Sequence, residues 1–156
     1  AGVKTPLELT MTVPPPPYAR QGSEVIAAQL AKVGITVKIQ NVEWAQWLAN
    51  TYGGAHNYDL SIVSHVEPFD LGNYSKADYY WGYQSKEFTA VFDKIKNTGS
   101  EAERNKLLGE AQKILAQDAA NGFLYQPQFP TVAKKGVKGL WTAMPIFCND
   151  LSTMSW

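Results

Sequence analysis

LELTMTVPPPPYARQGSEVIAAQLAKVGITVKIQ, residues 7–40, is the stretch whose reading decides the fold. Leu7, Leu9, Met11 and Val13 alternate with Glu8, Thr10 and Thr12, the period of a strand with one buried face. Pro14 to Pro17 end it, because proline has no N–H to give to a ladder, and they predict a stiff, extended loop through Tyr18. A helix is expected from about Ser23, with Ile26, Leu30 and Val33 on one face and Gly34 as its left-handed stop. Ile35, Val37 and Ile39 then alternate with Thr36, Lys38 and Gln40 in a second strand. Strand, helix and strand in this order form a βαβ unit, so the two strands should be parallel. The expected class is α/β: a layered domain with a mixed, partly parallel sheet flanked by helices.

The pattern continues toward the C-terminus. Trp44, Trp47, Leu48 and Thr51 fall at helical spacing, and Gly53-Gly54 closes that short helix. Leu60 to Val66 reads as a third, more buried strand. An irregular stretch from Glu67 to Gln84 follows, too aromatic for a solvated linker. Ser85 caps a helix whose buried face is Phe88, Val91, Phe92 and Ile95, broken at Asn97 to Gly99. Ser100-Glu101-Ala102-Glu103 is a capping box, and its helix runs to about Ala119 with Leu107, Ala111, Ile114, Leu115 and Asp118 on one stripe. Phe123 to Tyr125 and Thr131 to Lys134 are expected as short strands. Val137 to Trp156 shows no clean period.

Composition narrows the function classes. With 156 residues, 45% hydrophobic and 18% charged, the chain can bury a core and is not globally disordered. Its 14 Lys and Arg balance 14 Asp and Glu, so it has no chain-wide claim on a phosphate backbone, and no nucleic-acid partner is expected. No apolar run approaches the ~20 residues that span a bilayer. Cys148, the single cysteine, excludes an internal disulfide and any multi-cysteine metal site. Five Trp and eight Tyr point instead to an aromatic-rich surface or groove.

Catalytic signatures are absent. No glycine-rich dinucleotide or phosphate loop and no nucleophile elbow is present. His56 and His65 lack zinc-protease spacing, so neither a metal site nor a cofactor is expected. Ser64 and His65 are adjacent, and neighbours on a strand point to opposite faces, which disfavours a nucleophile–base pair. Glu67 and Asp70 could pair for acid–base work, yet acidic loop residues more commonly hydrogen-bond or face water, so no catalytic residue is assigned. The informative constellation runs from Ser64 to Tyr74 and on through Asp78 to Trp81. It begins at the C-terminal end of an expected buried strand, where open α/β sheets bind ligands. Carboxylates there can hold a cation, and aromatic rings supply rigid walls. The candidate ligand-binding residues are His65, Glu67, Asp70, Tyr74, Tyr79, Tyr80 and Trp81. Two readings compete: a ligand groove, or a hydrophobic lid folded over the sheet.

With these residues in view, the chain resembles the extracytoplasmic solute-binding proteins of ABC importers, in the dipeptide, oligopeptide and nickel class. The resemblance rests on the opening strand and helix, on Val37 to Leu48, on Tyr58-Asp59-Leu60 with the loop beyond, and on Ser85 to Ile95. Glu101 to Leu115, Phe123 to Pro127 and Lys135 to Leu140 extend it over nearly the whole chain. It implies a two-lobed trap for a small, peptide-like solute, working with an ABC permease in the periplasm or elsewhere outside the cytoplasm. Residues 1–139 would be part of the C-terminal lobe, and residues 140–156 a tail returning to an N-terminal lobe absent from this chain. In that family an acidic loop residue commonly pairs with the amino terminus of a bound peptide. Glu67-Pro68-Phe69-Asp70 occupies that place, with His65 near an expected Trp, which suggests a ligand of its own. The alternative is an independent module that docks a protein or a sugar through its aromatic loop. The chain has neither an initiating Met nor a signal peptide, so a mature fragment is expected. Leu140, Trp141, Met144, Ile146, Phe147, Leu151, Met154 and Trp156 would then lack a partner lobe, and self-association is expected.

Overall fold

The computed structural model describes residues 4, 6–54, 56–67, 69–128, 130–141 and 150–156. The chain divides into two compact units, Ala1–His65 with Asp78–Gly82, and Val66–Ala77 with Tyr83–Trp156.

The first unit holds β1 (Leu7–Val13), α1 (Pro17–Ala31), β2 (Ile35–Asn41), α2 (Trp44–Trp47), a π-helical turn (Leu48–Tyr52) and β3 (Leu60–Ser61). The sheet order is β2-β1-β3. β1 and β2 pair in parallel along their full length, from Leu7 opposite Ile35 to Val13 opposite Asn41. The βαβ unit expected from the alternating pattern is therefore present, and the fold is α/β with a small parallel sheet. Met11, Val13, Ala19 and Ile62 form its core, with Tyr18, Ile26, Val37, Ile39 and Leu60 packed around them. Sealing each large side chain there is worth ~1.5–3 kcal/mol.

Two features depart from expectation. The helix starts at Pro17 rather than near Ser23. Proline at the first helical position loses no hydrogen bond, and its fixed φ suits a helix. Pro16 supplies the extended cap, and its carbonyl accepts from the Ala19 and Arg20 amides. The buried face therefore begins a turn and a half earlier, with Ala19 and Ser23 fully sealed and Val33 65% exposed beyond the helix end. Gly34, at φ 82°, makes the expected left-handed turn into β2. Finally, β3 is two residues long instead of running to Val66. Among the described residues its ladder partners are Met11 and Thr12. Beyond Val13 the partner strand becomes four prolines, which cannot continue a ladder. At the other end, the Thr10 amide is taken by the Asp59 carboxylate at 2.8 Å.

The second unit contains a 3-10 turn (Asp70–Ser75), α3 (Lys86–Asn97), α4 (Glu101–Gln117) and a second 3-10 turn (Leu151–Thr153). α3 and α4 pack on each other. Phe88, Val91, Leu107, Ala111, Ile114 and Leu115 are buried, as the helical stripes required. Ser85 Oγ accepts from the Phe88 amide at 3.2 Å. Ser100 Oγ accepts from the Glu103 amide at 3.4 Å, while the Ser100 amide donates to Thr98 Oγ1. Thr98 thus takes the return bond that a complete capping box assigns to the glutamate. Phe123–Tyr125 and Thr131–Lys134 are not strands. They are exposed and lie beside Pro127 and Pro130, and a strand without a paired ladder has little to hold it. Among the described residues an isolated antiparallel bridge joins Lys138 to Ser155. Leu140, Trp141 and Met154 are half-buried, and Leu151 and Trp156 are exposed. Met144, Ile146, Phe147 and Cys148 lie outside the described residues. No helix among the described residues is long and apolar enough to cross a membrane.

Candidate functional site

In the first unit, three parallel strands end on one edge, and the chain beyond each end is pinned. The Val42 amide donates to the Val13 carbonyl at 2.9 Å, which fastens the exit of β2 to that of β1. Trp47 Nε1–H donates to Ser61 Oγ at 2.9 Å, and Ser61 Oγ–H donates to the Thr12 carbonyl at 2.8 Å. α2 is thereby tied across the end of the sheet. Past β3, the Ser64 amide donates to Tyr18 Oη at 2.9 Å, so α1 holds the segment that carries His65.

Tyr80 is the hub of what gathers there. It is 7% exposed and packs with Val42 and Trp47. His65 Nε2 and Tyr80 Oη share a hydrogen bond of 2.8 Å, and the two rings stack 5° from parallel with centroids 5.9 Å apart. Tyr58 Oη–H donates to the Tyr80 carbonyl at 2.7 Å, and burial raises the Tyr58 pKa. Tyr79 and Trp81 lie against each other at 4.3 Å and against Tyr80 at 5.1 and 5.3 Å. His65 also meets Trp81 at 5.2 Å. Tyr52 closes the cluster from the π-helical turn, at 5.3 Å from Tyr80 and 6.1 Å from Trp47. His65, Tyr79, Tyr80 and Trp81, four of the sequence-predicted residues, therefore form one contiguous cluster. His65, Tyr79 and Trp81 are half-buried, whereas Tyr80 is sealed beneath them.

The other three belong to the second unit. Glu67 is exposed and Asp70 half-buried at the start of the 3-10 turn. Tyr74 is 8% exposed, with its ring 5.9 Å from both Tyr83 and Phe88. Burial, then the charge of Asp70, then Tyr83 push its pKa up to about 12. Tyr83 Oη–H donates to Asp118 Oδ2 at 2.6 Å; burial first, and then this bond, raise its pKa. The turn lies close on α3: a Cβ on Gly72 would sit 2.9 Å from the Phe92 ring.

Sequence reasoning missed Trp47, Tyr52 and Tyr58 as partners of the cluster. The signal was present in the aromatic spacing of Trp44, Trp47 and Tyr52, but it read as a helix face awaiting a core. Nothing local to Tyr58 identifies Tyr80 as its partner.

No family model matches the chain. Among curated proteins, it is 30% identical to di/tripeptide-binding protein 4 of Pseudomonas aeruginosa over 92% of its own length and 28% of that protein's. Among solved structures, it is similar to a dipeptide-binding protein of Pseudoalteromonas in complex with Met-Leu. The TM-score is 0.65 at 19% identity, over 77% of this chain and 26% of that one. A periplasmic binding protein of Helicobacter pylori associated with an ABC transporter, solved with the peptide STSA, gives 0.59 at 26% identity, over 76% and 25%. The chain thus spans about a quarter of the length of the relatives it matches. Its relatives in sequence are di- and tripeptide-binding proteins, and its fold is that of substrate-binding proteins of ABC transporters.

Proposed function

We propose that this chain is part of the C-terminal lobe of a solute-binding protein that captures a small peptide or similar solute outside the cytoplasm and hands it to an ABC permease. The observation that carries the reading is the His65–Tyr79–Tyr80–Trp81 cluster, held past the C-terminal ends of three parallel strands. Ligands of open α/β sheets bind at that edge. The relatives named for peptide binding support the same solute class. In this proposal His65, Tyr79 and Trp81 offer partly exposed ring surface, while Tyr80 and Tyr74 act as buried supports. Glu67 and Asp70 supply negative charge for an ammonium group. The role is binding without catalysis. Residues 1–139 belong to the lobe, and residues 140–156 are a returning tail.

The test is titration calorimetry on the protein that carries this chain, with a dipeptide bearing a free amino terminus. A charge-assisted hydrogen bond is worth ~1.5–3 kcal/mol, so Asp70→Ala should weaken binding by roughly 10- to 150-fold. Unchanged affinity removes Asp70 from the site, and absence of binding by the unaltered protein removes the peptide reading.

A further inference from the structure

We infer that Asn121-Gly122 is a site of spontaneous deamidation, which the folded second unit leaves open to attack by its own backbone. Eight asparagines occur in the chain, and Asn121 alone is followed by glycine. The reaction needs the amide nitrogen of the following residue to reach the side-chain Cγ. Glycine has no Cβ to hinder that approach, and it reaches backbone conformations closed to other residues.

The local structure leaves both reacting groups unheld. α4 ends at Gln117, and Ala119, at φ 50°, turns the chain off the helix. Asn121 follows in a bend, and Gly122 is exposed. The Gly122 amide donates to no backbone carbonyl among the described residues. Asn121 Oδ1 is shielded from solvent and has no hydrogen-bond partner among the described residues. A shielded, unpaired oxygen is costly, so turning the carboxamide toward the Gly122 amide gives up no bond at that atom. The other asparagines differ. The amides that follow Asn41, Asn57 and Asn97 donate to the carbonyls of Val13, His56 and Lys94. Asn105 lies within α4, Asn73 Oδ1 accepts from Lys76 Nζ, and Asn50 is followed by the β-branched Thr51. Asn149 lies outside the described residues.

In the first step the Gly122 nitrogen bonds to Asn121 Cγ, the Cγ–Nδ2 bond breaks, and ammonia leaves with the proton given up by the Gly122 amide. Water then opens the cyclic succinimide at either carbonyl, giving aspartate or isoaspartate. Each event adds one negative charge to a chain whose formal net charge is 0. The new carboxylate stands just beyond the C-terminus of α4, where the helix dipole disfavours an anion. Asp118, at the same helix end, already accepts from Tyr83 Oη–H at 2.6 Å. The last turns of α4 bury Ile114 and Leu115, so deamidation should loosen the second unit. The inference goes beyond the peptide reading and stands without it, because neither Asn121 nor Gly122 belongs to the candidate site.

The experiment incubates the protein carrying this chain, folded, in mildly alkaline buffer. Isoelectric focusing and mass spectrometry of its peptides follow the conversion, beside a synthetic peptide of residues 118–125. Asn121 should convert at least about 10-fold faster than any other asparagine, to both aspartate and isoaspartate, and within about 10-fold of the rate in the free peptide. Gly122→Ala should slow conversion at least about 10-fold. It should keep the native circular dichroism spectrum, because a Cβ there meets nothing within 4 Å and the Gly122 φ is not positive. Asn121→Asp should unfold at a lower denaturant concentration than the unaltered protein. Conversion of Asn121 no faster than elsewhere, protection by the fold beyond about 10-fold, aspartate without isoaspartate, or indifference to Gly122→Ala would each overturn the site. An unchanged unfolding midpoint for Asn121→Asp would overturn its loosening effect.

Discussion

Among the described residues two aromatic clusters form, and they differ in what they leave uncovered. Around Phe88, the rings of Tyr74, Tyr83 and Phe92 meet at 5.9–6.1 Å, and Phe88 itself is 0% exposed. The tyrosine hydroxyl at its margin is capped by Asp118, and both Tyr74 and Tyr83 have raised pKa values. Around Tyr80, the hub and Trp47 are sealed. Tyr79, Trp81 and His65 stay half-buried, and Tyr52 is 44% exposed. Both clusters are built around tyrosines, so tyrosine content alone does not mark a binding surface. The difference lies in the supporting elements. The first cluster packs on α3, which carries Phe88 and Phe92, whereas the second sits past the ends of strands.

If that contrast is right, the two clusters fail differently. Phe88→Ala should show the largest effect, a loss of about 3–5 kcal/mol in denaturant unfolding, because it empties a fully packed site. Dipeptide affinity of the remaining folded protein should hardly change. Trp81→Ala should reverse the pattern. Giving up a large ring surface at the site corresponds to ~1.5–3 kcal/mol, or about 10- to 150-fold in affinity by calorimetry, with a smaller stability cost than Phe88→Ala. A Trp81 variant as unstable as the Phe88 variant, with normal binding, would erase the distinction between the clusters.

Smaller effects sharpen it. Ser100→Ala removes the α4 cap and should cost about 1 kcal/mol of stability, with no change in binding. Tyr74→Phe should have little effect at neutral pH but should alter alkaline unfolding. The Tyr74 pKa is about 12 in the folded chain, against 10.0 for the unperturbed group. The unfolded state therefore loses this proton first. The contribution is fully present below pH 10 and is lost as pH rises through about 12. The variant should flatten that part of the stability–pH curve, read by circular dichroism between pH 9 and 12. An unchanged slope would mean that Tyr74 is more accessible than its packing against Phe88 implies.

The reach of the sequence follows the range of the interactions. The β1–α1–β2 unit was legible because alternation, a helical stripe and Gly34 are all local signals. Ser85 and Ser100 were legible as caps for the same reason. The prolines misled because Pro14 to Pro17 do two jobs: they end a strand and also start a helix, where proline costs nothing. β3 was read too long because its length is set by the strand it pairs with, far away in sequence. At the candidate site, the aromatic run Tyr79-Tyr80-Trp81 and its link to His65 were chosen from type and order. That Tyr80 would be the buried member, propped by Trp47, Tyr52 and Tyr58, depends on long-range packing that no periodicity encodes.

In the proposed function the Tyr80-centred cluster is a ligand surface. The direct measurement is the Trp81 indole N–H resonance, assigned with Trp81→Phe, during titration of the protein carrying this chain with a free-amino dipeptide and with its N-acetylated form. The expected result is a saturable shift of Trp81, accompanied by His65 and Tyr79 ring signals, at lower concentration for the free-amino peptide. A dipeptide that binds tightly while Trp81, His65 and Tyr79 stay unmoved would contradict it.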